Sequence, residues 1–130
     1  MKLTATFAVT NWDERPYQEL AGGTKLTRAA VTKKYSGQLD AEGTSESLMY
    51  YGSDGSATIV GLERVVGKIG GRSGSFVVES RATFAGDTAK GTWSVVAGSG
   101  TDQFKELSGK GRFTAKSGPK GSITLNYELG

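Results

Sequence analysis

The segment Glu46-Ser-Leu-Met-Tyr-Tyr-Gly-Ser-Asp54-Gly55-Ser-Ala-Thr-Ile-Val-Gly-Leu-Glu63 decides how this chain folds. Two runs rich in aromatic and β-branched residues flank Asp54-Gly55, a dipeptide suited to the positive φ angles of a tight hairpin turn. A two-residue loop there pairs Tyr50 with Ile59, Leu48 with Gly61 and Glu46 with Glu63. Because side chains alternate between faces, that register also states which residues share a side of the sheet.

The same reasoning extends outward in both directions. A turn at Asp40-Ala41 pairs Tyr35 with Glu46, Lys33 with Leu48 and Val31 with Tyr50. One at Gly70-Gly71 sets Val65 opposite Phe76 and Glu63 opposite Val78. Another at Gly86-Asp87 sets Phe84 opposite Ala89, Ser80 opposite Trp93 and Val78 opposite Val95. Glycine-bearing turns recur every ten to fourteen residues or so, with no lasting helical period, which predicts successive hairpins and not βαβ units. Strands are expected near 2–12, 25–39, 42–52, 57–69, 72–85, 88–97, 108–116 and 121–129. Eight is an even number suited to closure, so the fold class predicted is all-β: one domain over residues 1–130, an eight-stranded antiparallel up-and-down barrel.

The face followed through these registers carries Val31, Leu48, Ile59, Phe76, Val78, Trp93 and Val95, and is expected to line the lumen. The opposite face mixes charged residues with Met49, Tyr51, Val60, Leu62 and Val77, an apolar patch that predicts a homo-oligomer. Between the sixth and seventh strands, Gly98-Ser-Gly-Thr-Asp-Gln-Phe-Lys-Glu-Leu107 breaks the alternation. Thr101 is placed to cap one helical turn that brings Phe104 and Leu107 to one side, as a plug over a barrel mouth.

Composition narrows the chemistry. The 130 residues include no cysteine and no histidine, which removes thiolate nucleophiles, disulfides, imidazole proton shuttles and the commonest metal ligands. Neither a metal nor an organic cofactor is expected. Sixteen basic residues against thirteen acidic ones give a net charge of +3 without a sustained run. Together with the lack of an aromatic-plus-basic platform, this predicts no nucleic-acid partner. No stretch is apolar for long enough to cross a bilayer, and a soluble cytoplasmic protein without a membrane partner is expected. The glycines of Gly67-Lys-Ile-Gly-Gly-Arg-Ser-Gly74 lack the strand-to-helix context of a phosphate loop and are assigned to a hairpin.

Two constellations could carry chemistry. Glu46 and Glu63, facing each other in a poorly solvated lumen, cannot both ionise cheaply unless a cation offsets them, and Lys33 is the candidate cation. The trio is either a self-satisfied structural network or a site in which one glutamate acts as general acid or base. Tyr35, Tyr50, Phe76 and Trp93 supply rings on the same face, with Gly61 and Ser80 leaving room beside the indole. Either Trp93 fills that room, or a small hydrophobic or aromatic molecule does. The function expected is binding of such a molecule, by a cofactor-independent cyclase or isomerase or by a non-catalytic binding barrel. A structural oligomerisation module with a solid core is the remaining alternative.

Residues Asn11-Trp-Asp-Glu-Arg-Pro-Tyr17, Lys25-Leu-Thr-Arg28, Glu46 with Leu48-Met-Tyr-Tyr51, Gly61-Leu-Glu-Arg-Val65, Gly70-Gly-Arg-Ser-Gly-Ser-Phe76 and Gly91-Thr-Trp93 resemble the bacterial group called domain of unknown function 3224. Gly100-Thr-Asp-Gln-Phe104 is similar to a segment of dirigent-type barrels, in the wider superfamily of allene oxide cyclase. The resemblance implies an eight-stranded barrel, oligomerisation, and a lumen that in some relatives guides ring closure or radical coupling without a cofactor. It maps no catalytic residue onto this chain. A histidine that the group often carries near Ser80 has no counterpart here.

Overall fold

Period-two alternation of apolar and polar residues produces eight strands: β1 (Lys2–Glu19), β2 (Lys25–Gly37), β3 (Leu39–Tyr51), β4 (Ala57–Ile69), β5 (Arg72–Ala85), β6 (Thr88–Val95), β7 (Ser108–Lys116) and β8 (Lys120–Glu128). The structure is a computed structural model that describes residues 1–116 and 118–130. Each strand pairs antiparallel with the next, and the first half of β1 (Lys2 to Ala8) closes on β8, giving a closed up-and-down barrel. Among the described residues, helix is confined to two single 3-10 turns, Ala21–Gly23 and Asp102–Phe104, and only the second was anticipated from the sequence.

The β4–β5 and β5–β6 registers are as expected, with Val65 opposite Phe76, Glu63 opposite Val78 and Ser80 opposite Trp93. Gly70 (φ +62°) and Gly86 (φ +63°) turn these hairpins. Strand β3 is the exception: it is turned over. Its link to β4 is a three-residue loop, not two: Gly52 N–H donates to the Ser56 carbonyl (2.8 Å) and Gly55 N–H to the Gly52 carbonyl (3.1 Å), with Gly55 at φ +84°. Asp54 does not sit across a two-residue turn but accepts from Ser56 N (3.0 Å) and Oγ (2.7 Å). The odd loop slips the pairing by one residue, so Met49 faces Ile59, Ser47 faces Gly61 and Ser45 faces Glu63.

The β2–β3 turn is likewise displaced from Asp40-Ala41. Tyr35 pairs with Ala41, and Lys33 with Gly43. Gly37 (φ +106°) permits the reversal, and the Gln38 side chain accepts from Thr4 N–H (2.7 Å), so the turn is tied to β1 by a contact remote in sequence. Glu46, Leu48 and Tyr50, expected inside, therefore point outward; Ser45, Ser47 and Met49 point in.

This correction changes the outer patch as well. Met49 is buried and Tyr51 half-buried on the inner side, while exposed Leu48 and Tyr50 join Val60 and Leu62 outside, with Leu48 directly opposite Val60. Strand β1 also runs beyond its expected end at residue 12. Thr10 forms a bulge between the Val9–Lys33 and Asn11–Thr32 pairs. After it, Trp12 and Glu14 take the inner side that Leu3, Ala5 and Phe7 hold before it.

The lumen is solid at one end. Leu3, Leu39, Val65, Ile69, Phe76, Val78, Trp93, Ile123 and Leu125 are buried there, capped by Phe104 and Leu107 from the segment between β6 and β7. That segment is the expected plug, held differently from the expectation. The Thr101 hydroxyl does not cap the turn but accepts from Ser75 N–H (3.0 Å) and contacts Ser75 Oγ (2.8 Å), pinning the plug to β5.

Candidate functional site

Midway along the lumen the apolar packing meets a polar layer. Lys33 on β2 and Glu63 on β4 project inward from opposite sides of β3, across Gly43 and Ser45. Lys33 Nζ lies 3.0 Å from Glu63 Oε1, and the Tyr35 hydroxyl donates to Glu63 Oε2 in a very short hydrogen bond. Glu63 is only 2% exposed, so its charge depends on these donors. Burial, followed by the Glu63 charge and hydrogen bond, pushes the Tyr35 phenol far above its usual value, and it stays protonated as a donor.

Gly43 makes this convergence feasible. A Cβ there would lie 2.2 Å from Glu63 Oε2 and 3.0 Å from the Tyr35 ring. Gly61 serves a similar purpose on β4, where a Cβ would lie 2.4 Å from Ser47 Oγ. The space beside Gly61 thus belongs to Ser47 and not to the Trp93 indole.

Beyond the polar layer the barrel is open. A cavity of about 230 Å³ extends from Lys33 and Glu63 to the far mouth, walled by Phe7, Val9, Val31, Met49, Ile59, Phe84 and Phe113, with Ser45, Ser47 and Ser80 among its polar groups. Trp12, Asp87 and Pro119 stand at the mouth end. The Lys33 ammonium lies 5.2 Å from the Phe7 ring centroid and 5.8 Å from that of Phe113, which holds it against the cavity wall. A train of rings then runs into the solid half: Phe7–Tyr35 (5.9 Å), Tyr35–Trp93 (5.6 Å), Trp93–Phe76 (6.4 Å) and Phe76–Phe104 (5.6 Å).

At the mouth, Glu14 gathers three donors: Tyr51 Oη (2.6 Å), Thr27 Oγ1 (2.7 Å) and Trp12 Nε1 (3.0 Å). Burial pushes its carboxyl up, but the bonds from Tyr51, Thr27 and Trp12, with the nearby Lys25 charge, outweigh that effect and hold it below its usual value. Burial and then Glu14 push the Tyr51 phenol well above its usual value. The cluster fixes the indole of Trp12, half of whose surface is exposed, at the cavity entrance. Among the described residues, no three acidic side chains gather in a way that could hold a metal ion.

With this geometry in view, one comparison settles the kinship. A family model described as "Protein of unknown function (DUF3224)" matches residues 3–127. The chain belongs to the DUF3224 family. A crystal structure of a DUF3224 protein of unknown function from Shewanella oneidensis MR-1 is 28% identical and superposes with a TM-score of 0.80, covering 98% of this chain and 96% of that one. No curated protein matches the chain.

In this DUF3224 barrel the expected site divides into three groups. Lys33, Glu63 and Ser80 line the cavity, and Tyr35 supports them from behind. Phe76 and Trp93 are inward as expected but lie in the solid half, Trp93 being 2% exposed, and so fill the space they were expected to border. Glu46 and Tyr50 are outside the lumen. Glu46 faces Leu62 and pairs with Arg28 (2.8 Å) at the surface, which removes the two-carboxylate arrangement altogether. Trp12, Glu14, Thr27, Met49 and Tyr51 were missed by the sequence reading. Gly43 was the available signal, since a glycine inside a strand marks a close approach, here of an inward-facing glutamate.

Proposed function

We propose that this chain binds one small apolar or aromatic molecule in the open half of its barrel. The observation that carries the reading is the division of the lumen: half is packed solid around Trp93, and half is left as a cavity of about 230 Å³ with aromatic walls and a few convergent polar groups. An apolar cavity of about 150 Å³ takes up benzene. This one therefore suits an aromatic ring with a short substituent, and a longer tail could leave through the mouth past Trp12. The closed barrel with an internal plug also supports the kinship with allene oxide cyclase-like barrels. The outward row of Leu48, Tyr50, Val60 and Leu62 supports self-association of the chain.

A second reading, cofactor-independent cyclase or isomerase action, is favoured by one feature. Glu63 reaches the cavity with both oxygens fixed by Lys33 and Tyr35, an arrangement that could polarise or shift a proton on a bound carbonyl compound.

Native mass spectrometry with toluene as probe tests the binding reading. One toluene per chain is expected, lost when Ala89→Trp fills the cavity. No adduct in the natural chain, or an adduct undiminished in the Trp variant, overturns it.

A further inference from the structure

The charges around the cavity constrain what can occupy it. Lys33 is its cationic side chain, and Glu63 already neutralises that cation at 3.0 Å. A second carboxylate, Asp87, stands at the mouth end. A carboxylate guest would bring an uncompensated negative charge beside Glu63 in a poorly solvated space, and an ammonium guest would meet Lys33. Charged guests of either sign are disfavoured.

A neutral acceptor meets a different environment. The bond to Glu63 uses one of the three N–H donors that an ammonium carries, and the Lys33 side chain, which lines the cavity, remains 18% exposed. A carbonyl or ether oxygen reaching this depth gains a charge-assisted hydrogen bond, which is stronger than a neutral one. The rings of Phe7 and Phe113 flank the same ammonium, and Phe84 and Trp12 line the way in, so the body attached to that oxygen is best a flat ring. Building on the binding function above, we propose that the occupant is a neutral aromatic compound whose acceptor oxygen docks on Lys33, with the Lys33–Glu63 pair acting as a filter against carboxylates.

Calorimetric titration with three molecules of nearly equal shape tests this. Acetophenone carries the neutral acceptor, ethylbenzene lacks it and benzoate replaces it with an anion. Acetophenone is expected to bind at least tenfold more tightly than either of the others. In Glu63→Gln the cation loses its counter-charge, and benzoate should overtake acetophenone. In the double variant Lys33→Met/Glu63→Gln, which leaves no buried charge unpaired, acetophenone and ethylbenzene should come within about threefold. Should Glu63→Gln fail to fold, the natural chain's ranking and the double variant decide. Ethylbenzene or benzoate binding as tightly as acetophenone to the natural chain overturns the inference while leaving cavity binding intact; no binding by any of the three overturns both.

Discussion

Gly43 lies directly against the carboxylate of Glu63, with room for a hydrogen atom and nothing larger: a Cβ would stand 2.2 Å from Oε2. The inward-facing glutamate and the glycine two strand positions from its partner Ser45 are one structural unit. Gly43→Ala should therefore destabilise the fold by about 2–3 kcal/mol through overpacking. In a Glu63→Ala background the same substitution should cost less than about 1 kcal/mol, because the carboxylate is gone and only the Tyr35 ring, 3.0 Å from the new Cβ, has to give way. Urea denaturation of the four chains measures the coupling; an equal cost in both backgrounds would contradict the contact.

Removing the Tyr35 hydroxyl leaves the buried Glu63 with one strong donor fewer. Tyr35→Phe should cost about 1–3 kcal/mol, in the range for a buried charged acceptor losing a partner. The raised folded-state value of this phenol has a second consequence. Its contribution to stability is present below the unfolded tyrosine value near 10 and is lost as pH rises above it, since the unfolded chain ionises there first. Ultraviolet titration of the folded protein to pH 11 should give the same phenolate amplitude with and without Tyr35. A smaller amplitude in the variant would show that Tyr35 ionises in the native state.

Glu14 titrates in the opposite sense. Its depressed value means that its stabilisation is present above the usual carboxyl value of 4.5 and is lost as pH falls below it. Glu14→Gln should cost about 1 kcal/mol at neutral pH, the worth of a few partly exposed hydrogen bonds. The difference between the two chains should shrink as the pH drops from 5 to 3. Thermal melts across that interval check it, and a gap that widens toward acid would refute the assignment.

The outer row of Leu48, Tyr50, Val60 and Leu62 includes one residue, Leu62, that is 55% exposed and contributes nothing to the lumen. If copies associate through this face, light scattering at micromolar concentration should give a multiple of the 13.6 kDa chain mass, and Leu62→Lys should reduce it to the monomer without loss of thermal stability. A monomeric natural chain would dispose of the interface.

Much of the barrel was legible because its turns were. Gly70-Gly71 and Gly86-Asp87 are two-residue turns, and the inner faces of β4, β5 and β6 follow from them without knowledge of the rest. Strand β3 was misread because Asp54-Gly55 occurs equally well in a three-residue loop, and one residue of slip exchanges the faces of the whole strand. That slip carried Glu46 and Tyr50 into the expected site and kept Met49 and Tyr51 out of it. The bulge at Thr10 was hidden for a related reason: an extra residue inverts the alternation of β1, so Trp12 and Glu14 share a face with Phe7 only once the sheet is closed. Glu63 and Ser80 were found because their faces follow from the Gly70-Gly71 and Gly86-Asp87 turns, and Trp93 was found inward for the same reason; Lys33 was found because the odd slips on the two sides of β3 cancel and leave β2 facing as expected. Whether it bordered space or filled it depended on the plug and on Tyr35, contacts distant in sequence.

The half of the lumen between Lys33 and Trp12 should receive a guest, while the half around Trp93 should not. Methyl-resolved nuclear magnetic resonance during titration with toluene locates any guest directly. Saturable shifts are expected at the methyl groups of Val31, Met49 and Ile59, with those of Val65 and Val78 in the solid half and Leu62 outside unchanged. Shifts confined to Leu48 and Leu62, or no saturable shift up to the solubility of toluene, would contradict this.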